Sequence, residues 1–401
     1  MSPKPARAKS EAQSQRQAAA RKAAAQRRRN EAQRSDLMGV LSQARPTRRH
    51  RLRRSDCSGR GLGRLKRGRG FSYVDAGGEP IKDPEEILRI KALAIPPAWQ
   101  EVWICPDPLG HLQATGIDAA GRKQYLYHPR WRELRDREKF DHMVSFANAL
   151  PRLRRKMLSD LSGEELDAGR VLACAVRLLD VGLFRIGSEQ YADEDGGIGL
   201  ATVEKQHVSA NDGEVVFDYL GKGGIRRVQG VRDPLSSEIV RALRRRRAGG
   251  QQLLAYRQGR RWHTVRSEEI NEYLKAQIGE EYSAKDFRTW NATVLAAVSL
   301  AADGRDATSK RARKRAIDGA VRGVSEVLGN TPSVARRSYI DPRIFDRYLS
   351  GWTIGGALDR IGSLEGPDDR RRARLEKAVL DLLDEDRRSP AVQRFDVQKA
   401  A

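Results

Sequence analysis

The spacing of apolar side chains changes once along this chain, and that change divides any fold it can adopt into two unlike parts. From Phe71 to Trp131 the apolar residues come in short alternating runs: Phe71-Ser72-Tyr73-Val74, Val102-Trp103-Ile104, Leu112-Gln113-Ala114-Thr115 and Gln124-Tyr125-Leu126-Tyr127. Gly77-Gly78, Pro106-Asp107-Pro108 and Gly116 separate or bound them. Alternation with a period of two, broken by turn formers, predicts strands. Beyond residue 132 the period becomes helical, and Val171, Leu172, Val176 and Leu179 mark a helix over Asp167–Val181. A basic helix is expected over Glu238–Ala248. Ser283 and Asp286 form an S-x-x-D capping box opening a helix to about Leu300, and Thr331-Pro332 starts a short one. One hairpin interrupts the helices, Val215–Leu220 against Ile225–Val231 around Gly221-Lys222-Gly223-Gly224. The expected class is α+β: a small β-rich domain over residues 70–131, a larger mainly α-helical domain over 132–365, and a charged helical tail over 366–401. No internal repeat of about 20–50 residues is present.

Residues 1–69 follow neither period. They mix Ala, Gln, Ser and Arg, then Gly and Arg, with almost no aromatic or branched side chains. Such a segment cannot offset its ordering entropy, so a mobile basic arm is expected there. The charge is concentrated in it: residues 1–70 hold 21 basic against 4 acidic side chains, within a net +23 for all 401 residues. Lys and Arg so gathered release counterions from phosphates, which points to a polyanion partner. Attraction to an anionic membrane surface is the competing reading. The best candidate for a membrane span, Val294–Ala302, has nine residues including Ser299, far below the roughly 18 a span needs. No apolar stretch of a secretory leader is present. Cys57, Cys105 and Cys174 have spacings that suit neither a zinc knuckle nor a disulfide framework, so a reducing, cytoplasmic location is expected.

Missing motifs narrow the chemistry. There is no G-x-x-x-x-G-K-[ST], because Lys222 is followed by two glycines, and there is no H-E-x-x-H or paired Cys/His set for zinc. Asp193, Glu194 and Asp195 could hold magnesium, but consecutive acids in a Gly-rich loop favour a solvated turn. With no cofactor and no metal expected, a reaction on phosphates must use side-chain cations, a nucleophile and an acid for the departing oxygen. Arg185 follows the apolar run Leu183-Phe184, and Arg288 lies in the first turns of an apolar helix. A planar guanidinium can grip two phosphate oxygens, although among 76 basic residues either arginine taken alone reads better as a salt-bridged or surface residue. Lys222, at a Gly-flanked hairpin tip, is a movable cation or simply a turn lysine. Tyr339 stands close to Arg336 and Arg337, which would favour its phenolate, or it packs at a helix end. Tyr125 and Tyr127 share one strand face flanked by Arg122, Lys123, His128 and Arg130, suited to nucleic acid or to covering a small core.

Taken together and in order, these segments carry a resemblance. Ile95-Pro96-Pro97-Ala98-Trp99, Val102-Trp103-Ile104, Gly121-Arg122-Lys123-Gln124-Tyr125, Phe184-Arg185-Ile186-Gly187, the Lys222 hairpin, Lys285-Asp286-Phe287-Arg288-Thr289 and Thr331-Pro332-Ser333 ahead of Tyr339 resemble the type IB DNA topoisomerases, in their poxvirus-like and bacterial branch. The resemblance runs from about Gly70 to Trp352. It implies a clamp of β domain and helical catalytic domain around double-stranded DNA, working as a monomer in the cytoplasm with the nucleoid, without ATP or metal. It further implies that Tyr339 forms a 3′-phosphotyrosyl link, that Arg185 and Arg288 hold the non-bridging oxygens, and that Lys222 protonates the 5′-hydroxyl. The ester keeps the energy of the broken linkage, so the strand reseals after supercoil tension has driven rotation. Asn330 stands where the family often has histidine, as in some bacterial members; an amide can donate to a phosphate oxygen but brings no charge. Gln124, Tyr125 and Tyr127 match a strand that meets DNA, and Tyr191 matches a tyrosine beside the catalytic phosphate.

Two other readings compete with this one. Tyrosine recombinases share the helical fold and most of the catalytic set, but typically show His-x-x-Arg where this chain has Lys285-x-x-Arg288, and usually carry a helical front domain. A non-catalytic architectural DNA binder would use the basic arm and leave the spaced Arg, Lys, Arg and Tyr set unexplained.

Overall fold

The computed structural model describes residues 51–68, 70–187, 197–211, 214–361 and 368–395, and the chain divides into two units, Met1–Arg137 and Glu138–Ala401. The first unit is built on a five-stranded antiparallel sheet. Its strands are β1 (Leu62–Arg67), β2 (Gly70–Val74), β3 (Gln100–Ile104), β4 (Leu112–Ile117) and β5 (Lys123–Tyr127), in the order β2-β1-β3-β4-β5. Helix α1 (Pro84–Ala92), capped by the Asp83 carboxylate, packs Ile90 with Val102, Ile104 and Ala114 into a small core that Tyr73, Trp99 and Leu126 complete. Arg89 of α1 donates to Gln113 Oε1 at 3.0 Å and to the Cys105 carbonyl at 2.7 Å.

Here the structure departs from the sequence expectation of an arm reaching residue 69. β1 pairs on both edges, and its inward place is filled by Arg64, whose guanidinium lies 4.2 Å over the Phe71 ring and donates to the Ile95, Pro96 and Trp99 carbonyls. A strand held by backbone pairing and an arginine shows no apolar alternation, which is why its sequence reads as arm. The residues before it are also bonded to the unit: Arg53 exchanges backbone bonds with Leu109 and His111, and the Ser55 N–H donates to His111 Nδ1 at 2.9 Å. Residues 1–50 lie outside the described residues.

The second unit surrounds α3 (Ala168–Gly182), which Asp167 caps and which is buried along nearly its whole length from Val171 to Asp180. The same core takes in α2 (Pro129–Leu161), whose Phe140, Met143, Phe146, Leu150 and Leu153 are buried, and a three-stranded antiparallel sheet. That sheet consists of β6 (Val208–Asn211), β7 (Glu214–Gly221) and β8 (Ile225–Val231) in that order. Helix α4 (Pro234–Arg245) begins earlier than the expected Glu238, because Asp233 accepts the Ser236 N–H and Pro234 takes the first helical position. A hairpin of β9 (Ala255–Gln258) and β10 (Arg261–Thr264) and helix α5 (Ser267–Ile278) lead to α6 (Ala284–Asp303), which opens on the Ser283–Asp286 capping box. Then come α7 (Lys310–Leu328), α8 (Pro332–Ser338), α9 (Pro342–Leu349), α10 (Gly355–Ile361) and α11 (Asp368–Leu383). Helix α11 buries Ala378, Val379, Leu382 and Leu383 in the same core. Asp180, on α3, binds Arg154 of α2 at 2.9 Å and Arg372 of α11 at 2.6 Å, while Arg154 also meets Glu376 at 2.6 Å. Burial alone would raise the Asp180 carboxyl, but Arg372 and Arg154 outweigh it and hold the group at about 2. Among the described residues, no helix is long and apolar enough to cross a membrane.

Candidate active site

Two turns bring Arg185 and Lys222 together. Helix α3 ends on Leu183, whose φ of 58° turns the chain out of the helix. The next residue, Phe184, is buried edge-on against Phe217 at 4.7 Å, so Arg185 emerges from the core rather than from a surface. Backbone bonds from Leu200 to the Arg185 carbonyl and from Ala201 to the Ile186 carbonyl return the chain alongside it. The chain then presses onto the hairpin tip: a Cβ added at Gly197 would stand 2.8 Å from the Lys222 Cα, and Ile198 N–H donates to the Leu220 carbonyl at 2.9 Å. Only glycine permits that approach. Lys222 opens the β7–β8 tip and is exposed.

The end of α7 holds the guanidinium groups. A helix leaves its last carbonyls without partners, and they form the negative end of the helix dipole. Arg227, on β8, donates to the Glu326 carbonyl at 3.2 Å and the Val327 carbonyl at 2.6 Å. Arg288, on α6 and only 4 % exposed, donates to the Leu328 carbonyl at 2.9 Å and to the Leu183 carbonyl at 2.5 Å. Arg185 donates to the Gly329 carbonyl at 3.2 Å and to Asn330 Oδ1. That last bond orients the Asn330 amide, and its Nδ2 is buried with no hydrogen-bond partner among the described residues. Burial first, and then Arg185, lowers Arg288 from 12.5 to about 10, against an opposing pull from Tyr339. The group therefore stays cationic at neutral pH.

Tyr339 ends α8, and its ring lies 5.3 Å from the Arg288 guanidinium carbon. Thr293, further along α6, fixes that stretch: its Oγ1 accepts from the Asp341 N–H at 3.1 Å and lies 3.3 Å from the Tyr339 carbonyl oxygen. Lys139 Nζ donates to the Ser338 carbonyl at 2.8 Å. A cleft beside this arrangement is lined by Arg185, Lys222, Arg227, Arg288 and Tyr219, and no carboxylate lines it among the described residues. Four cations on one concave surface make a receptor for a tetrahedral anion.

Of the residues singled out in the sequence, Arg185, Lys222 and Arg288 thus share one cleft, Asn330 is bonded to the first of them and Tyr339 lies against the third. Tyr125 and Tyr127 stand in the first unit on the exposed face of β5, 45 % and 36 % accessible, with rings 6.2 Å apart and nearly parallel. Gln124 alternates to the other face and donates to Asp118 at 2.9 Å. Tyr191 and the acidic run Asp193 to Asp195 lie outside the described residues. Among the described residues, no group of three or more His, Cys, Asp or Glu is placed to hold a metal ion. Sequence reasoning missed Arg227 and Tyr219. They face one another across the hairpin, a pairing that the hairpin register could have shown.

The profile described as "Eukaryotic DNA topoisomerase I, catalytic core" matches residues 128–348, which contain all five of the candidate catalytic positions. A second, "Bacterial DNA topoisomerase IB, N-terminal domain", matches residues 70–118. The chain belongs to the type IB DNA topoisomerases. It is similar to the DNA topoisomerase 1B of Acanthamoeba polyphaga mimivirus, 28 % identical over 287 residues that cover 70 % of this chain and 85 % of that protein. The DNA topoisomerase I of monkeypox virus is 21 % identical over 62 % of this chain and 75 % of its own length. The DNA topoisomerase 1 of Schizosaccharomyces pombe is 29 % identical over 41 % of this chain and 19 % of its own. This topoisomerase is an isomerase of duplex DNA that breaks and rejoins one strand, and the family match favours that activity over the recombinase and architectural readings.

Proposed function

We propose that Tyr339, Arg185, Lys222, Arg288 and Asn330 carry the breaking and rejoining. The Tyr339 phenol oxygen, losing its proton to solvent, attacks a backbone phosphorus; the P–O5′ bond breaks and Lys222 Nζ gives the departing oxygen its proton. Arg185 and Arg288 hold the non-bridging oxygens, and the free Nδ2 of Asn330 donates one further bond without charge. Resealing is the same step reversed, with the 5′-hydroxyl attacking the 3′-phosphotyrosyl ester. The observation that carries this reading is the cleft in which Arg185, Lys222 and Arg288 meet, with no carboxylate lining it among the described residues, beside a tyrosine ring 5.3 Å from Arg288. The charge neutralisation comes from side chains, so no step requires a metal ion or ATP. The exposed tyrosines 125 and 127, with Gln124 and Tyr191, are assigned to holding the duplex. The protein works as a monomer on DNA, in the cytoplasm with the nucleoid. Relaxation of supercoiled plasmid in EDTA without nucleotide, at a rate first order in protein, tests the proposal. Unchanged plasmid, or products that depend on a particular site pair, would refute it.

A further inference from the structure

We infer that Arg227 is a positioning residue for Lys222: it ties the hairpin that carries the ammonium to the helix end that also holds Arg185 and Arg288. The inference rests on the proposed role of Lys222 as the acid. The two residues after Lys222 are glycines at φ of 75° and 70° and bring no side chain of their own to the tip. Arg227 stands on β8 opposite Tyr219, near the tip. Its two terminal nitrogens leave the sheet and reach the Glu326 and Val327 carbonyls at 3.2 and 2.6 Å. The following two carbonyls, of Leu328 and Gly329, receive Arg288 and Arg185. The hairpin and both oxygen-binding arginines are therefore registered on consecutive carbonyls of one helix end. The fit is tight, since a Cβ on Gly329 would stand 2.4 Å from Arg227 Nη1. The other end of the hairpin is tied as well, through Gln229 to the Gly182 carbonyl at 2.5 Å, immediately before the turn that carries Arg185. A fork bound to two carbonyls resists both sliding and rotation of the tip, which one point contact does not.

The test compares single-turnover cleavage of two DNA substrates, one ordinary and one with sulfur in place of the bridging 5′-oxygen at the cleavage point. A thiolate departs without being protonated, so a defect confined to proton delivery disappears on the sulfur substrate. Arg227→Ala is expected to slow cleavage of ordinary DNA by about 10- to 100-fold, the usual cost of losing an orienting partner. It should cleave the sulfur substrate within about threefold of the unmodified enzyme. Lys222→Ala should show the same rescue, and adding Arg227→Ala to it should slow ordinary cleavage no further. Arg227→Lys, which keeps the charge and can reach one carbonyl, should fall between, and it carries the same comparison if the alanine variant does not fold. A rescued Lys222→Ala beside an unrescued Arg227 variant, or full speed of the Arg227 variants on ordinary DNA, overturns the inference alone. Failure of sulfur to rescue Lys222→Ala removes the acid role, and the inference with it.

Discussion

Replacing Arg288 by lysine keeps a positive charge on α6 and removes the fork. The guanidinium spans the Leu183 carbonyl at 2.5 Å and the Leu328 carbonyl at 2.9 Å while its charge lies over Tyr339. A single ammonium can serve one of those carbonyls and leaves the other buried without a donor, at a cost of about 1–3 kcal/mol. For a unit of this size each kcal/mol lowers the melting temperature by about 2–4 °C, so a folded but weakened protein is expected. Cleavage suffers more: losing a donor aimed at transition-state charge lowers the rate by about 10²–10³-fold. The environment that lowers Arg288 to about 10, burial first and Arg185 second, would also push a lysine there down from its ordinary value of about 10.4. Because the protonated amine is the useful form, the activity of Arg288→Lys relative to the unmodified enzyme, which shares the Tyr339 step, should rise as pH falls from about 9 to about 7. Single-turnover cleavage of end-labelled DNA, with DNA affinity and melting temperature measured on the same preparation, reads all three effects. Cleavage within about threefold of the unmodified enzyme, or a loss fully accounted for by unfolded protein, would refute the assignment of Arg288 to the reacting phosphate.

Asp180→Asn should destabilise the second unit by about 1–3 kcal/mol, since Arg154 and Arg372 would lose a buried carboxylate and keep Glu376 as their remaining one. In the unmodified protein the Asp180 carboxyl is depressed from 3.8 to about 2, so its contribution of about 2 kcal/mol is present above about pH 4 and lost as pH falls towards 2. Acid unfolding followed by circular dichroism should show that limb flattened in the variant. Deleting residues 1–50, which hold 13 Lys and Arg against 3 acidic side chains, should weaken DNA binding and reduce its salt slope while cleavage persists; an inactive but folded truncation would contradict a tethering arm. Tyr125→Ala with Tyr127→Ala should lower DNA affinity with little change in melting temperature, because both rings stand on the exposed face; unaltered affinity would remove them from the interface.

Much of the second unit was legible because its helices announce themselves at their ends. Asp167, Ser283 and Thr331 each cap the helix expected of them, and the hairpin around Lys222 pairs as its turn residues indicate. β1 was not legible, because Arg64 occupies the position where alternation would show an apolar residue. The candidate catalytic residues could be named through their motifs, but nothing local in the sequence shows what holds them. Arg288 is bonded to carbonyls of Leu183 and Leu328, far from it in the chain, and Arg227 reads as one more basic residue in a charged hairpin. Contacts to backbone carbonyls leave no trace in residue type, so the helix end that organises the site is visible only in three dimensions.

The most direct test is covalent trapping on a DNA whose cleaved end diffuses away, followed by peptide mapping of the adduct. DNA joined through its 3′-phosphate to Tyr339 is expected, with no adduct from Tyr339→Phe although that variant still binds DNA. An adduct mapped to another residue, or one that persists in Tyr339→Phe, would contradict it.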